Sequence, residues 1–368
     1  MRIVAVDVFG VELTPAAGDF RLSRGRTMSA STSWVVRVTA DDGRRGFGEA
    51  CPLTSAYLPT FTGAVRAALE ELAPALLGAD PRNLADVAAR MDATLLGQEA
   101  ARSPLDVACW DLLGQDAGQP LATLLGGRVS DELPLYEAIP MGSAQETAQR
   151  VQRALDAGIR RFQLKVGGAP RADAETVARV VEQAGEGAVV IADANGGWSL
   201  ADALVAVRAL EGLPVFLEQP CRRFEDVLHV RRATTLPLIL DESVTDADSL
   251  VAAVRRAGAC GVNLKIGKVG GLTPARRLRD LAVALGASVT IEDTWGGDVA
   301  AAAIAHLAAS TPPGSLFSVS LVNAAVVEHV AGGVPRTVGA TASAPDGPGL
   351  GLEVDESLLG DPVLSFRA

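Results

Sequence analysis

Histidine is scarce in this chain, with three residues in 368, and cysteine is little commoner at four. Cys51, Cys109, Cys221 and Cys260 are scattered, with no Cys-x-x-Cys pair and no histidine at ligand spacing. That points away from a thiolate or imidazole metal site, and free thiols in a reducing compartment are expected. No apolar run reaches the roughly 20 residues needed to cross a bilayer. The opening "MRIVAVDVFGVEL" alternates like a strand and carries no signal-peptide core, so a cytoplasmic protein is expected. Basic residues are outnumbered too: 33 Lys and Arg against 44 Asp and Glu give a net charge of −11. A nucleic-acid backbone or an anionic membrane is therefore a poor partner. A small anionic substrate is not excluded, because local charge decides that.

What the chain does have is apolar residues, at 48%, with 21% charged, a globular composition. Its first part reads as strands followed by helices. "RIVAVDVFGVEL" and "SWVVRVTADDGRRGFGEA" alternate, the latter through a "DDGR" turn, and helical periodicity runs from about Ala64 to Leu125. Within it, "SPLDVACWDLLGQDAG" predicts a helix capped by Ser103 with Pro104 in its first turn. This predicts an α+β capping domain over residues 1–127. Short apolar runs then alternate with Ala-rich amphipathic segments, and eight such runs end near residues 139, 165, 193, 218, 241, 265, 292 and 319. An interval close to one strand-helix unit, repeated eight times, predicts a parallel (β/α)8 barrel over 128–322. The Gly- and Pro-rich segment 323–368 is expected to pack back on the capping domain.

A barrel of this kind works at the C-terminal ends of its strands. Here those ends carry charge: Lys165, Asp193, Glu218, Asp241, Lys265, and then Glu292 with Asp293. Each carboxylate alone could cap a helix. Three in consecutive strands, flanked by two lysines, form a site, because like charges that close need a cation. Oxygen donors on a rigid ring suit Mg²⁺. Lys165 and Lys265 flank the acid-bearing strands and so face each other across the metal. A lysine poorly solvated beside a cation has a lowered pKa and serves as a base. The matching chemistry is removal of the proton α to a carboxylate, with the metal stabilising the charge that develops.

The motifs "LKVG", "ADANGGW", "LEQP", "LILDES", "VNLKIGKVGGLT" and "DVACWDLLG" make the chain resemble the enolase superfamily, and within it the muconate-lactonising subgroup, over nearly its whole length. The resemblance implies Asp193, Glu218 and Asp241 as Mg²⁺ ligands and Lys165 and Lys265 as paired acid/base residues. It implies Asn195 and Glu242 as partners of those ligands, Lys268 as electrostatic support, and a homo-oligomer. Two departures stand out. Where relatives write Lys-x-Lys on the second strand, this chain has Gln163. Where dipeptide epimerases carry Asp-x-Asp on strand eight, it has Ser318 and Ser320. No histidine ends a strand, unlike the mandelate racemase type; His229, His306 and His329 sit in helical or tail segments.

The stretch "IEDTWGGDVA" bears on the substrate. Trp295 offers a flat face for a ring or an ammonium group, and Asp293 or Asp298 a counter-charge. Alternatively, Trp295 packs a loop and Asp298 caps a helix. Loops Pro15–Ser29 and Cys51–Phe61 are expected to close the pocket, with Phe20 and Tyr57 as contacts. A small cyclic amino acid fits these features. The stretch also resembles that of subgroup members acting on hydroxyproline or proline betaine. What that resemblance implies is dehydration of cis-3-hydroxy-L-proline, the alternative being racemisation or epimerisation of proline betaine or a related amino acid. A barrel without catalysis has no use for opposed buried lysines. The "GKVGG" stretch alone is weak support for a phosphate site.

Overall fold

The computed structural model describes residues 1–21 and 27–368. Period-two alternation makes Ile3–Leu13, Ser31–Ala40 and Arg45–Ala50 three antiparallel strands. The C-terminal strand Leu364–Arg367 joins them at the edge, pairing Val6 with Phe366. Helices Thr62–Ala75, Leu84–Thr94 and Glu99–Ala117 cover one face and bury Val6, Val36, Leu69, Leu105 and Leu112 between the layers. The loop Pro15–Ser29 is described except for residues 22–26, so that part of the expected lid lies outside the described residues.

The helix Glu99–Ala117 starts a turn earlier than its sequence suggests, so Ser103 does not cap it and Pro104 lies inside it. Good helix formers at Glu99–Arg102 extend it upstream, and Pro104 forfeits only one backbone bond. Strand Arg45–Ala50 crosses this helix at backbone contact. A Cβ at Gly48 would lie 1.9 Å from the Pro104 carbonyl oxygen, and one at Gly46 2.2 Å from that of Ala108. The two glycines of "RGFGEA" permit that approach.

Eight parallel strands follow, in sequential order: Glu137–Ile139, Arg161–Lys165, Val189–Asp193, Val215–Glu218, Leu238–Leu240, Gly261–Lys265, Ser288–Glu292 and Leu316–Val319. Their outward residues, among them Phe162, Leu164, Ala192, Leu217, Leu240, Leu264 and Ile291, form one core with the surrounding helices. Leu135, just ahead of strand one, bridges to Val319 of strand eight, and the Tyr136 amide donates to the Val319 carbonyl, which brings the two edges of the ring together. Strand eight is followed by a short 3-10 turn, Val322–Ala325, rather than a full helix. Several helices carry their own caps, such as Ser143, Ser199 and Asp246.

Two barrel helices begin on a glycine and are capped from the N-terminal unit instead. Asp106 accepts from the Thr273 amide (2.9 Å) at the start of Leu272–Ala284. Glu49 accepts from the Gly297 (2.6 Å) and Ala300 (2.9 Å) amides at the start of Asp298–Ala309. Trp110 adds a bond to Thr273 Oγ1, and Asp111 accepts from the Phe47 and Leu350 amides. The "DVACWDLLG" motif is thus the seam between the two units.

His306 pins that seam from the barrel side. It is fully buried, accepts from the Ala122 amide at Nδ1, and so donates from Nε2 to the Leu350 carbonyl. Burial pushes its pKa down to about 4. The neutral ring is therefore favoured in the fold, and this stability is present above about pH 6.5 and lost as pH falls towards 4. The loss amounts to about 3 kcal/mol. In urea melts, His306→Gln is expected to be less stable than the parent at pH 7, with the gap narrowing by pH 4.

Candidate active site

Strands two and six end alike. Gln163 and Lys165 share the inner face of one, Asn263 and Lys265 that of the other, because side chains two apart lie on the same side of a strand. In a ring of eight the two strands are four apart by either path, so the lysines approach from opposite sides. Lys165 Nζ donates to Asp193 Oδ2 (2.5 Å) and Gln163 Oε1 (2.8 Å). Lys265 Nζ pairs with Asp241 and donates to the Tyr57 hydroxyl, with Glu292 at 3.4 Å. Tyr57 in turn donates to Asp241 Oδ2 (3.0 Å), and Lys268 Nζ grips Asp241 through Oδ1 (2.8 Å) and the carbonyl (2.6 Å). Asn195 Nδ2 bridges Asp193 and Glu242. Every lysine of the chain is in this web, and so are both tyrosines.

Beneath the lysines the two amides form a polar floor. Gln163 Nε2 donates to both oxygens of Glu218 (3.1 and 3.0 Å), and Asn263 Nδ2 to Glu218 Oε1 (2.8 Å) and Glu292 Oε1 (3.1 Å). Tyr136, from the start of strand one, donates to Glu292. Gln219 takes a left-handed backbone (φ 35°), and its side-chain oxygen accepts from the Asp241 and Ser243 amides. Asn195 is left-handed too (φ 45°). Such conformations cost free energy and cluster at functional sites. Tyr136, Asn263, Gln219 and the inward role of Glu292 escaped the sequence reading. Period-two spacing back from Lys265 and forward from Thr290 would have pointed to Asn263 and Glu292.

Asp193, Glu218 and Asp241 are 0–1% exposed. Burial, then Asp193, pushes the Glu218 carboxyl well above its usual range. Burial and Asp241 bring Glu242 up to about 7. For Lys265, burial opposes the charge, yet Asp241 and its neighbours outweigh it and hold the ammonium well above the usual lysine range; for Lys165 burial opposes it too, and Asp193 with Glu218 raises it above that range. The expectation of lowered lysine pKa values is therefore not met in this arrangement, because each amine sits on a carboxylate. Among the described residues no three acids stand close enough to grip an ion as they are. The donor set nevertheless fits a hard divalent cation. Five acidic side chains (Asp193, Glu218, Asp241, Glu242, Glu292) face three ammoniums, so the acids outnumber their cationic partners, and the crowding that raises Glu218 and Glu242 is what a bound cation would relieve. Glu242 Oε2 and Asn263 Oδ1 are buried acceptors that find no donor among the described residues.

Above the web lies a cavity of about 790 Å³, lined by both lysines, Gln163, Asn195, Tyr57, Tyr136, Glu292, Trp295 and Phe20 among others. Phe20 and Trp295 pack at 5.8 Å between ring centres. Asp293 reaches the lining, but its carboxylate is committed to the Gly267 (2.8 Å) and Thr294 (2.6 Å) amides, so it braces two loops rather than offering a charge. Asp298 is not in the lining. It is fully buried and accepts from Asn323 Nδ2, His329 Nδ1 and the Ala331 and Gly333 amides, holding the tail segment. The glycines of "GKVGG" likewise have structural reasons: a Cβ on Gly271 would lie 2.4 Å from Asp106 Oδ2.

Known proteins match this chain throughout. Residues 5–126 match the mandelate racemase/muconate lactonizing enzyme N-terminal domain, and residues 146–358 the enolase C-terminal domain-like family. A cis-3-hydroxy-L-proline dehydratase of Roseibium aggregatum is 42% identical over 100% of both chains. An N-succinyl-L-Arg/Lys racemase of Bacillus cereus is 28% identical over 98% of this chain and 97% of its own. A solved enolase-superfamily member from Roseovarius nubinhibens, complexed with magnesium, superposes with a TM-score of 0.94 at 35% identity, covering 100% of both chains. With matching domains at both ends and charged strand tips between them, the chain belongs to the mandelate racemase/muconate lactonizing enzyme family and is an enzyme of the enolase superfamily.

Proposed function

We propose that this enzyme dehydrates cis-3-hydroxy-L-proline with magnesium as cofactor. The observation that carries the reading is the pair of buried lysines opposed across a cluster of carboxylates. Full-length identity of 42% to a dehydratase of that substrate supports it. Magnesium held by Asp193, Glu218 and Asp241 would bind the substrate carboxylate and stabilise the negative charge that builds there as the α-proton leaves.

The chain's own residues then do the proton work. In cis-3-hydroxy-L-proline the hydroxyl and carboxylate share a ring face, so the α-hydrogen lies on the other. Lys165 and Lys265 reach the ring from opposite sides. One, as the neutral amine, takes the α-hydrogen; the other, as the ammonium, gives its proton to the hydroxyl, which leaves as water. The C2–H and C3–O bonds break on opposite faces, a C2–C3 double bond forms, and the enamine product becomes the cyclic imine by proton shift. Burial alone favours the neutral amine, so a lysine released from its carboxylate is a competent base near neutral pH. Gln163 ties Lys165 to Glu218 with a neutral amide, which positions that lysine without repelling it.

Trp295, Phe20 and Tyr57 form the aromatic wall, and Glu292 is the carboxylate that faces the ring ammonium. A second reading rests on those three rings, which also suit a quaternary ammonium: epimerisation of proline betaine or another amino-acid derivative.

Proton NMR in D₂O with Mg²⁺ separates the readings. Loss of the cis-3-hydroxy-L-proline signals with growth of a cyclic imine acid is the expected outcome; α-proton exchange on a betaine without elimination would move the assignment to the epimerase. Chelation should stop turnover and Mg²⁺ restore it. Replacing either lysine by alanine should lower kcat by about a thousandfold. The variant that still exchanges the α-proton retains the base. Trp295→Ala is expected to raise KM about tenfold. Asp298→Asn should instead leave KM within about twofold and lower Tm by roughly 5–10 °C, since it removes buried acceptors.

A further inference from the structure

Glu49 lies near the end of the strand Arg45–Ala50 in the N-terminal unit, far in sequence from any barrel strand, and it is 4% exposed. Its carboxylate sits beneath the turn Gly296–Gly297. Oε1 accepts from Ser33 Oγ (2.6 Å) and the Gly297 amide (2.6 Å), and Oε2 from the Ala300 amide (2.9 Å). A Cβ on Gly297 would lie 3.2 Å from Oε1, so the double glycine of "TWGGD" makes room for this carboxylate. Trp295, the residue before the turn, is 7% exposed, and its indole N–H finds no acceptor among the described residues. No hydrogen bond of its own therefore fixes the ring. Its place depends on the turn that follows it and on packing against Phe20, Leu13, Met28 and Leu53.

We infer that Glu49 is a positioning residue for substrate selection: by capping the helix Asp298–Ala309 across the domain boundary, it sets the Trp295 wall of the pocket. The inference rests on reading Trp295 as a substrate wall, and it does not depend on which substrate the wall meets. Glu49 touches no reacting atom, so its effect falls on binding rather than on proton transfer. Asp106 provides the matched control. It caps the neighbouring helix Leu272–Ala284 from the same unit by the same kind of bond, yet no aromatic wall hangs from its turn.

The experiment compares Glu49→Gln, Asp106→Asn and the parent enzyme by amide hydrogen exchange with mass spectrometry, and by steady-state kinetics on cis-3-hydroxy-L-proline. In Glu49→Gln, exchange across 294–300 is expected to rise about tenfold with 272–284 unchanged, and Asp106→Asn should show the reverse. KM should rise about tenfold in Glu49→Gln with kcat within about threefold, and stay near the parent value in Asp106→Asn. Unchanged exchange at 294–300, or an equal KM rise in both variants, would overturn the inference. Should Glu49→Gln not fold, Ser33→Ala removes one holding bond while keeping the carboxylate, and a smaller shift in the same direction is expected. If the parent enzyme leaves cis-3-hydroxy-L-proline untouched, the dehydratase reading fails; the exchange pattern still decides whether Glu49 holds the Trp295 turn, and the KM comparison is then made on the substrate that the NMR panel identifies.

Discussion

Burying carboxylates at the top of the barrel is the constraint around which the rest is arranged. Glu218 stands at the centre, 1% exposed, with Asp193 and Asp241 on the neighbouring strands at 0%. An isolated buried carboxylate costs several kcal/mol, and crowding three raises that further. The protein offsets the cost with amide donors from Gln163 and Asn263 below and three ammonium groups around, and still has more acidic than cationic groups there. Such a centre is unfavourable as a folding element. It persists because a rigid ring of parallel strands presents it, with an apolar core outside.

That rigidity is shared between the two units. Strands six and seven carry Lys265, Glu292 and Trp295, and the helices after them begin on glycines that cannot cap themselves. The N-terminal unit supplies both missing acceptors, Asp106 and Glu49. A carboxylate at a helix N-terminus satisfies orphan amides and complements the helix dipole. The same unit contributes Tyr57 and Phe20 to the pocket, so it is part of the site as well as a support for it.

Much of this was legible in the sequence. The eight strands end where the apolar runs do, since a continuously apolar strand flanked by helices has an unambiguous period, and charge at its tip stands out. Lys165, Lys265, Asp193, Glu218, Asp241, Asn195, Glu242, Lys268 and Gln163 do converge, because strand ends of a closed ring must. What failed depended on partners remote in sequence. Asp293 and Asp298 looked as available as Glu292, but backbone amides 26 and 33–35 residues away had claimed them. Ser103 is the exception, a local one: the helix formers Glu99–Arg102 carry the helix past it. Glu49 carried no local signal: its partners lie 248 and 251 residues on.

The concentration of all lysines in the site has a consequence for the chain's surface. The three histidines aside, every other basic side chain is arginine, and Lys165, Lys265 and Lys268 expose 9%, 7% and 4% of their side chains. Apart from the terminal amine, the folded surface offers almost nothing to an acylating reagent or to any modification that consumes a lysine amine. Beyond that amine, lysine acylation of the folded protein is confined to the charged cluster at the strand ends, and the number of acyl groups taken up there reports how often the cluster opens.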